Sequence, residues 1–177
     1  MKPFIIALFL FLAPLSLSGE DTLLARIPLG PGEKINRLVF NRNGSAFGAV
    51  IYKGSFDEAY VFFNGKKMGP YPNVMYEVIS DSGREIAYTV CGVTGPSTLM
   101  LNEEKVRIWD YVEFLTFAPG TGTLFYVGIT ANPDGSTASS LVLGDRIEGP
   151  YRTLNIPSIS ADVKFYSYHA KDDGNLN

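Results

Sequence analysis

The chain has 177 residues, 46% of them hydrophobic, with 18 glycines and 11 prolines, the composition of a turn-rich globular protein and not of a disordered or fibrous one. Its 15 basic and 18 acidic side chains give a formal charge of −3 with no Lys/Arg stripe, which excludes the electrostatic footprint of a nucleic-acid-binding protein. Cys91 is the single cysteine, so no intrachain disulfide framework exists, and the length fits one domain.

The first element is apolar. Lys2 precedes a hydrophobic run from Phe4 to Leu15, and Ser16 and Ser18 supply small residues at the −3 and −1 positions of a cleavage site. This pattern predicts a secretory signal peptide over 1–18, cut after Ser18, and hence a periplasmic or extracellular protein. The run is shorter than the roughly 20 residues a membrane span needs, and Pro14 interrupts its end, so no stable span is expected after cleavage. Loss of Lys2 leaves 14 basic against 18 acidic side chains, a formal charge of −4.

From 19 to 177 the expectation is all-β. Leu23 to Leu29, followed by Gly30-Pro31, reads as the last strand of a unit. Four turn signals then divide short β-prone runs: Asn41-Arg42-Asn43-Gly44, Ser80-Asp81-Ser82-Gly83, Ala118 to Gly122, and Ser158 to Asp162. Such residues tolerate the positive φ of tight hairpins. The runs after them, Ala46 to Tyr52, Glu85 to Val90, Thr123 to Ile129 and Val163 to His169, are rich in β-branched and aromatic residues and read as strands.

These elements recur. Tyr71, Tyr111 and Tyr151 are spaced by 40 residues, and Gly44, Gly83 and Gly122 by 39. Val61 to Tyr71 lies over Leu141 to Tyr151 without a gap, both ending in Gly-Pro-Tyr; the middle copy, Leu99 to Tyr111, reads as two residues longer with Trp109-Asp110 in place of Gly-Pro. Taking Tyr76 to Ser80, Glu85 to Val90, Thr98 to Leu101 and Lys105 to Val112 as one unit gives four antiparallel strands in about 40 residues, the size of a propeller blade. The expected architecture is a partial β-propeller of about three and a half four-stranded blades plus the N-terminal strand. Asn155 to Ile159 and Val163 to His169 begin the fourth blade, whose outer strand Leu23 to Leu29 could supply. The alternatives are a four-bladed ring lacking one strand or a piece of a larger ring, the second favoured because an open blade leaves an unpaired backbone row that a soluble protein should avoid; a homodimer of two partial rings completing one another is a further expectation.

Ser80-Asp81-Ser82-Gly83-Arg84-Glu85-Ile86-Ala87-Tyr88 resembles the Ser-Pro-Asp-Gly-x-x-Ile-Ala-Tyr core of the WD40-like repeats of TolB-type propellers, with Asp81 where the family has Pro. Phe63 to Tyr71 is similar to the companion motif of exported bacterial proteins with such repeats. The resemblance spans roughly residues 23 to 170. It implies a propeller and a role in interaction, partner docking or peptidase substrate filtering.

Chemistry-bearing constellations are sparse. Cys91 ends an expected strand and reads as a buried small hydrophobe. His169, the sole histidine, can make neither a usual zinc site nor a triad without a Gly-x-Ser-x-Gly elbow, so no cofactor, metal or catalytic residue is expected. Glu77 and Glu113 fall on expected innermost strands at matching places, where a propeller glycosidase would carry its acids, but a structural or solvated role is favoured. Lys66-Lys67 reads as a solvated turn, Asp172-Asp173-Gly174-Asn175 as a plain turn without the spacing of a calcium loop, and Asn43-Gly44-Ser45 as a turn that happens to fit a glycosylation acceptor.

The remaining candidates are aromatic. Tyr71, Trp109, Tyr111 and Tyr151 would fall around one face of a ring and offer a surface for a protein or an envelope glycan. Against this stands an architectural role in which each packs one blade on the next. The leading expectation is a noncatalytic exported binding module; the alternative is the propeller portion of, or a remnant from, a secreted peptidase or glycosidase.

Overall fold

The computed structural model describes residues 26–54, 58–92, 94–162 and 164–171, together with the backbone of 5–7. Among them every regular element is a strand. Strands β1 (Ile5–Ala7) and β2 (Arg26–Pro28) pair antiparallel. Three four-stranded antiparallel sheets follow, each a simple meander: β3 (Glu33–Phe40), β4 (Phe47–Lys53), β5 (Glu58–Phe63) and β6 (Lys66–Tyr71); β7 (Val74–Ile79), β8 (Ile86–Cys91), β9 (Ser97–Leu101) and β10 (Glu104–Trp109); β11 (Tyr111–Phe117), β12 (Leu124–Ala131), β13 (Thr137–Leu143) and β14 (Arg146–Tyr151). A broken hairpin ends the described chain, with β15 (Thr153–Leu154) paired to β18 (Ala170–Lys171) and β16 (Ser158–Ile159) to β17 (Tyr166–Ser167). The arrangement is propeller-like, and no sheet closes on itself.

The turns form where expected, and their backbone bonds define which residues correspond. Asn41 N–H donates to Ala46 O, Ser80 N–H to Glu85 O, Ala118 N–H to Thr123 O, and Ser160 N–H to Phe165 O. Inside the first three turns Gly44, Gly83 and Thr121 donate back to Asn41, Ser80 and Ala118. Thr121, not Gly122, is therefore the counterpart of Gly44 and Gly83, because the third turn takes its positive φ at Gly120 (67°). The first strand pair of every sheet also slips by one residue, between Ile35 and Arg37, Met75 and Val78, and Glu113 and Thr116, at the same depth in the second and third sheets and farther from the turn in the first. Such bulges sharpen strand twist.

Several strand limits depart from expectation. The strand expected from Lys105 to Val112 divides at a corner, with Trp109 closing β10 and Tyr111 opening β11. Asp110 makes that corner: its N–H donates to Ile129 O (3.0 Å) and its carboxylate accepts Ala131 N–H (2.8 Å). The final strands of the three sheets then superpose without an insertion, since Ala59 pairs Tyr71, Ser97 pairs Trp109 and Ser139 pairs Tyr151. The apparent two-residue lengthening of the middle copy disappears. The strand expected over Leu23 to Leu29 is seen as Arg26–Pro28, and its ladder is with Ile5–Ala7 and not with the fourth unit. Its Ile27 is buried against Ala49, Ile51 and Phe62 on the face of the first sheet turned away from the second. The rest of the expected signal peptide and Asp172 to Asn175 lie outside the described residues.

Alternation along the strands builds one apolar layer per junction. Val50, Tyr52, Val61 and Phe63 of the first sheet meet Val74, Ile79, Ile86, Tyr88 and Met100 of the second. Ala87 and Leu99, on the opposite face of the second sheet, meet Val112, Leu115, Phe117 and Tyr126 of the third. Phe125, Val127 and Leu141 then receive Leu154, Ile159, Tyr166 and Tyr168 of the broken hairpin. Fully burying one such side chain stabilises by about 1.5–3 kcal/mol, so these layers hold the sheets together. Polar links add to them at the turns: Asn41 Nδ2 donates to Asp81 O (3.3 Å), and the Asp81 carboxylate accepts Gly120 N–H (2.8 Å).

The last junction is fastened through one carboxylate. Glu148 accepts hydrogen bonds from Tyr166 (2.5 Å) and Tyr168 (3.0 Å) and pairs with Arg146, whose guanidinium lies 5.5 Å from the Tyr166 ring centre. The Tyr166 hydroxyl above all, then that of Tyr168 and the Arg146 charge, hold the Glu148 carboxyl below its ordinary value of 4.5 against the opposing effect of burial. A carboxyl with a depressed folded-state pKa contributes stability above its unfolded value and loses it as pH falls through the folded one. Hydrogen-exchange protection of 153–171 is therefore expected to weaken selectively as pH drops from 4.5 through that depressed value, and Glu148→Gln should weaken it already at neutral pH. Equal protection of the hairpin on both sides of the window would refute the assignment.

Candidate functional site

The four aromatic candidates separate into two groups. Tyr71, Trp109 and Tyr151 each close the last strand of a sheet and lean on a tyrosine of the next unit, placed on β8, on β12 and just after β17. Tyr71 lies tilted at 53° to Tyr88 with ring centres 5.7 Å apart, Trp109 meets Tyr126 edge-on at 6.4 Å, and Tyr151 lies tilted at 46° to Tyr168 at 5.7 Å. The partners are 17 residues apart in each case. The two Tyr-Tyr pairs share hydroxyl hydrogen bonds of 2.9 Å, and Tyr88 also donates to Asn102 O (2.6 Å). These three residues serve the junctions.

Tyr111 differs. It opens β11, is 59% exposed, and its side chain has no hydrogen bond to any described residue. It is displaced from the other three because it lies beyond the Asp110 corner. Here it lines a cleft of about 440 Å³ with Met75, Tyr76, Cys91, Ser97 and Glu113, at the end of the sheets where first strands begin and second strands finish. Met75 and Tyr76 are 37% and 46% exposed. Sequence reasoning passed over Tyr76, whose signal is a backbone one: φ is +55°, an unusual state for a non-glycine residue, within the β7 bulge.

The remaining candidates take structural positions. Cys91 is half-buried at the cleft, not buried: it ends β8, its thiol lies 3.7 Å from Met75 Sδ, and Asn73 Nδ2 approaches it at 3.6 Å. Glu77 is nearly covered and pairs with Arg37, which also donates to Val74 O (2.8 Å), so this carboxylate ties β7 to β3. By bulge register Glu77 corresponds to Leu115, and Glu113 to Met75, so the two acids do not occupy matching places. Lys66 and Lys67 begin β6 and are paired with Glu103 and Glu33; Lys67 also lies 4.2 Å from the Tyr60 ring centre. The turn expectation fails there because the hairpin takes Asn64-Gly65 as its two-residue loop, with φ of 49° and 78°. His169 is exposed, and its carbonyl accepts Asn155 N–H (2.9 Å).

The fold and the cleft thus define, over the described residues, an all-β protein of successive four-stranded meanders with an open aromatic cleft at a strand-end face. Comparison with family models, curated proteins and solved structures finds no match to this chain.

Proposed function

We propose that the chain is a partial β-propeller of the WD40-like, TolB-type class, exported to the periplasm or beyond, and that it acts as a noncatalytic module binding a protein or an envelope glycan. The propeller reading draws on three sheets of equal strand order, each with a bulge in its first strand pair, and on successive neighbour contact. The binding reading rests on one observation: Tyr111 stands free in a cleft while its three companions are taken up by junctions. Exposed aromatic rings in a concave site supply contact area at little entropic cost, which suits recognition.

A photo-crosslinking side chain placed at Tyr111 of the mature protein is expected to capture a defined envelope component, and the same group at Ile147, exposed on β14, is not. Capture at both positions or at neither would overturn the assignment. Tyr111→Ala should abolish the interaction while changing unfolding free energy by no more than about 0.5 kcal/mol, because its side chain is largely solvated.

A further inference from the structure

The cleft has a distinctive balance of groups. Among the described residues Glu113 is its single charged lining residue, and the Glu113 carboxylate has no ion pair or hydrogen bond to any of them. Exposed Glu104 is likewise unpaired among the described residues, whereas Glu33, Glu77, Glu103 and Glu148 are each matched to a cation; what sets Glu113 apart is its place beside two exposed rings. Two cleft hydroxyls are engaged, Thr89 Oγ1 with Met75 O (3.0 Å) and Ser97 Oγ with Asp110 O (3.5 Å), while those of Thr94, Tyr76 and Tyr111 have no hydrogen bond to any described residue. What remains available to a ligand is one carboxylate, those three hydroxyls and the rings of Tyr76 and Tyr111.

Tyr76 is held out at a cost. Its counterpart Phe114 has the same unusual backbone, φ +51°, but packs edge-on against Phe125 at 5.9 Å. In the second sheet the place of Phe125 is taken by Ala87, so Tyr76 has no ring beneath it and stays 46% exposed. The positive φ thus belongs to the bulge that both sheets share, and what is particular to Tyr76 is the exposure of its ring.

We infer, building on the binding-module reading, that this cleft receives a Lys or Arg side chain from a basic segment of a protein partner. The cation would sit against the Tyr76 and Tyr111 faces with its charge toward Glu113, combining cation–π attraction with an ion pair. A neutral saccharide offers no charge to the Glu113 carboxylate, which favours the cationic side chain.

The test uses the mature protein and three probes: acetyl-Lys-Lys-Lys-amide, the same peptide with acetylated side chains, and chitotriose, each titrated while the Tyr76 and Tyr111 ring resonances are followed by NMR. Only the cationic peptide is expected to shift them, with affinity falling on adding roughly 0.5 M salt and about fivefold in Glu113→Gln. Circular dichroism of that isosteric variant checks that it folds. Equal response to the acetylated peptide or to chitotriose, or an unchanged affinity in Glu113→Gln, overturns the inference. If crosslinking from position 111 captures a partner while trilysine fails to bind, the binding module stands and the cationic occupant falls.

Discussion

Replacing Gly128 by alanine is expected to destabilise the protein by roughly 1–3 kcal/mol, the cost of overfilling a tight junction. A Cβ built on Gly128 would lie 2.3 Å from Trp109 Cε2 and 2.4 Å from Cδ2, well inside contact distance. The obstruction is the fused indole itself, a rigid plane that cannot bend aside. Its neighbours leave it little room: Tyr126 meets it edge-on, and the Arg107 guanidinium lies 5.9 Å from the ring centre. Trp109 is the sole tryptophan, so its fluorescence reports this junction directly during urea unfolding. Trp109→Ala, which removes that probe and is followed together with the double variant by circular dichroism, should cost about 3–5 kcal/mol. The double variant should cost clearly less than the two single effects combined, since removing the indole removes the clash. Strict additivity would sink the account.

Tyr88→Ala is expected to cost about 3–5 kcal/mol, as large aromatic truncations in cores do. The ring is fully buried between the first and second sheets, among Val61, Met68 and Met100. Tyr88→Phe keeps the ring and should cost about 1–3 kcal/mol, because the partly buried carbonyl of Asn102 loses its 2.6 Å donor. Tyr71→Phe should cost less than Tyr88→Phe, since the bond from Tyr88 to Asn102 survives it. Urea midpoints at constant slope would establish this order, and a Tyr71→Phe effect exceeding that of Tyr88→Phe would contradict it.

Much of this fold is legible in the chain, and the limits of legibility have physical causes. Turns were readable because Asn41 to Gly44 and Ser80 to Gly83 carry residues that accept the backbone states those hairpins need. The Gly-Pro-Tyr motif has an equally local reason: Gly69 and Gly149 adopt φ of 122° and 114°, and a Cβ there would come within 2.8 Å of Ala59 O and 2.9 Å of Ser139 O. Two markers misled, however. Tyr111 shares an identity and a spacing with Tyr71 and Tyr151, but a residue type does not disclose whether it ends one sheet or opens the next; the corner at Asp110 decides that. Gly122 misled likewise, because the third turn uses Gly120 for its positive φ.

The candidate site was less visible than the fold. Tyr111 was marked in advance, but for the wrong company: its cleft neighbours come from β7, β8 and β9, and only pairing register reveals them. Tyr76 depends on a bulge, which arises from a one-residue slip between strands and leaves no mark in composition. The junction partners Tyr88, Tyr126 and Tyr168 were detectable in principle, since they advance along the chain in step with Tyr71, Trp109 and Tyr151.

The interval of 17 residues between the rings that clasp neighbouring sheets carries a consequence for biosynthesis. Each clasp joins stretches emerging from the ribosome almost together, so loop-closure entropy is small and no early segment must wait for a distant one. Growth can proceed as successive additions to an already seated neighbour, in the order of translation. Nascent chains halted after residue 109 should accordingly resist protease across the first two meanders before the third has been made.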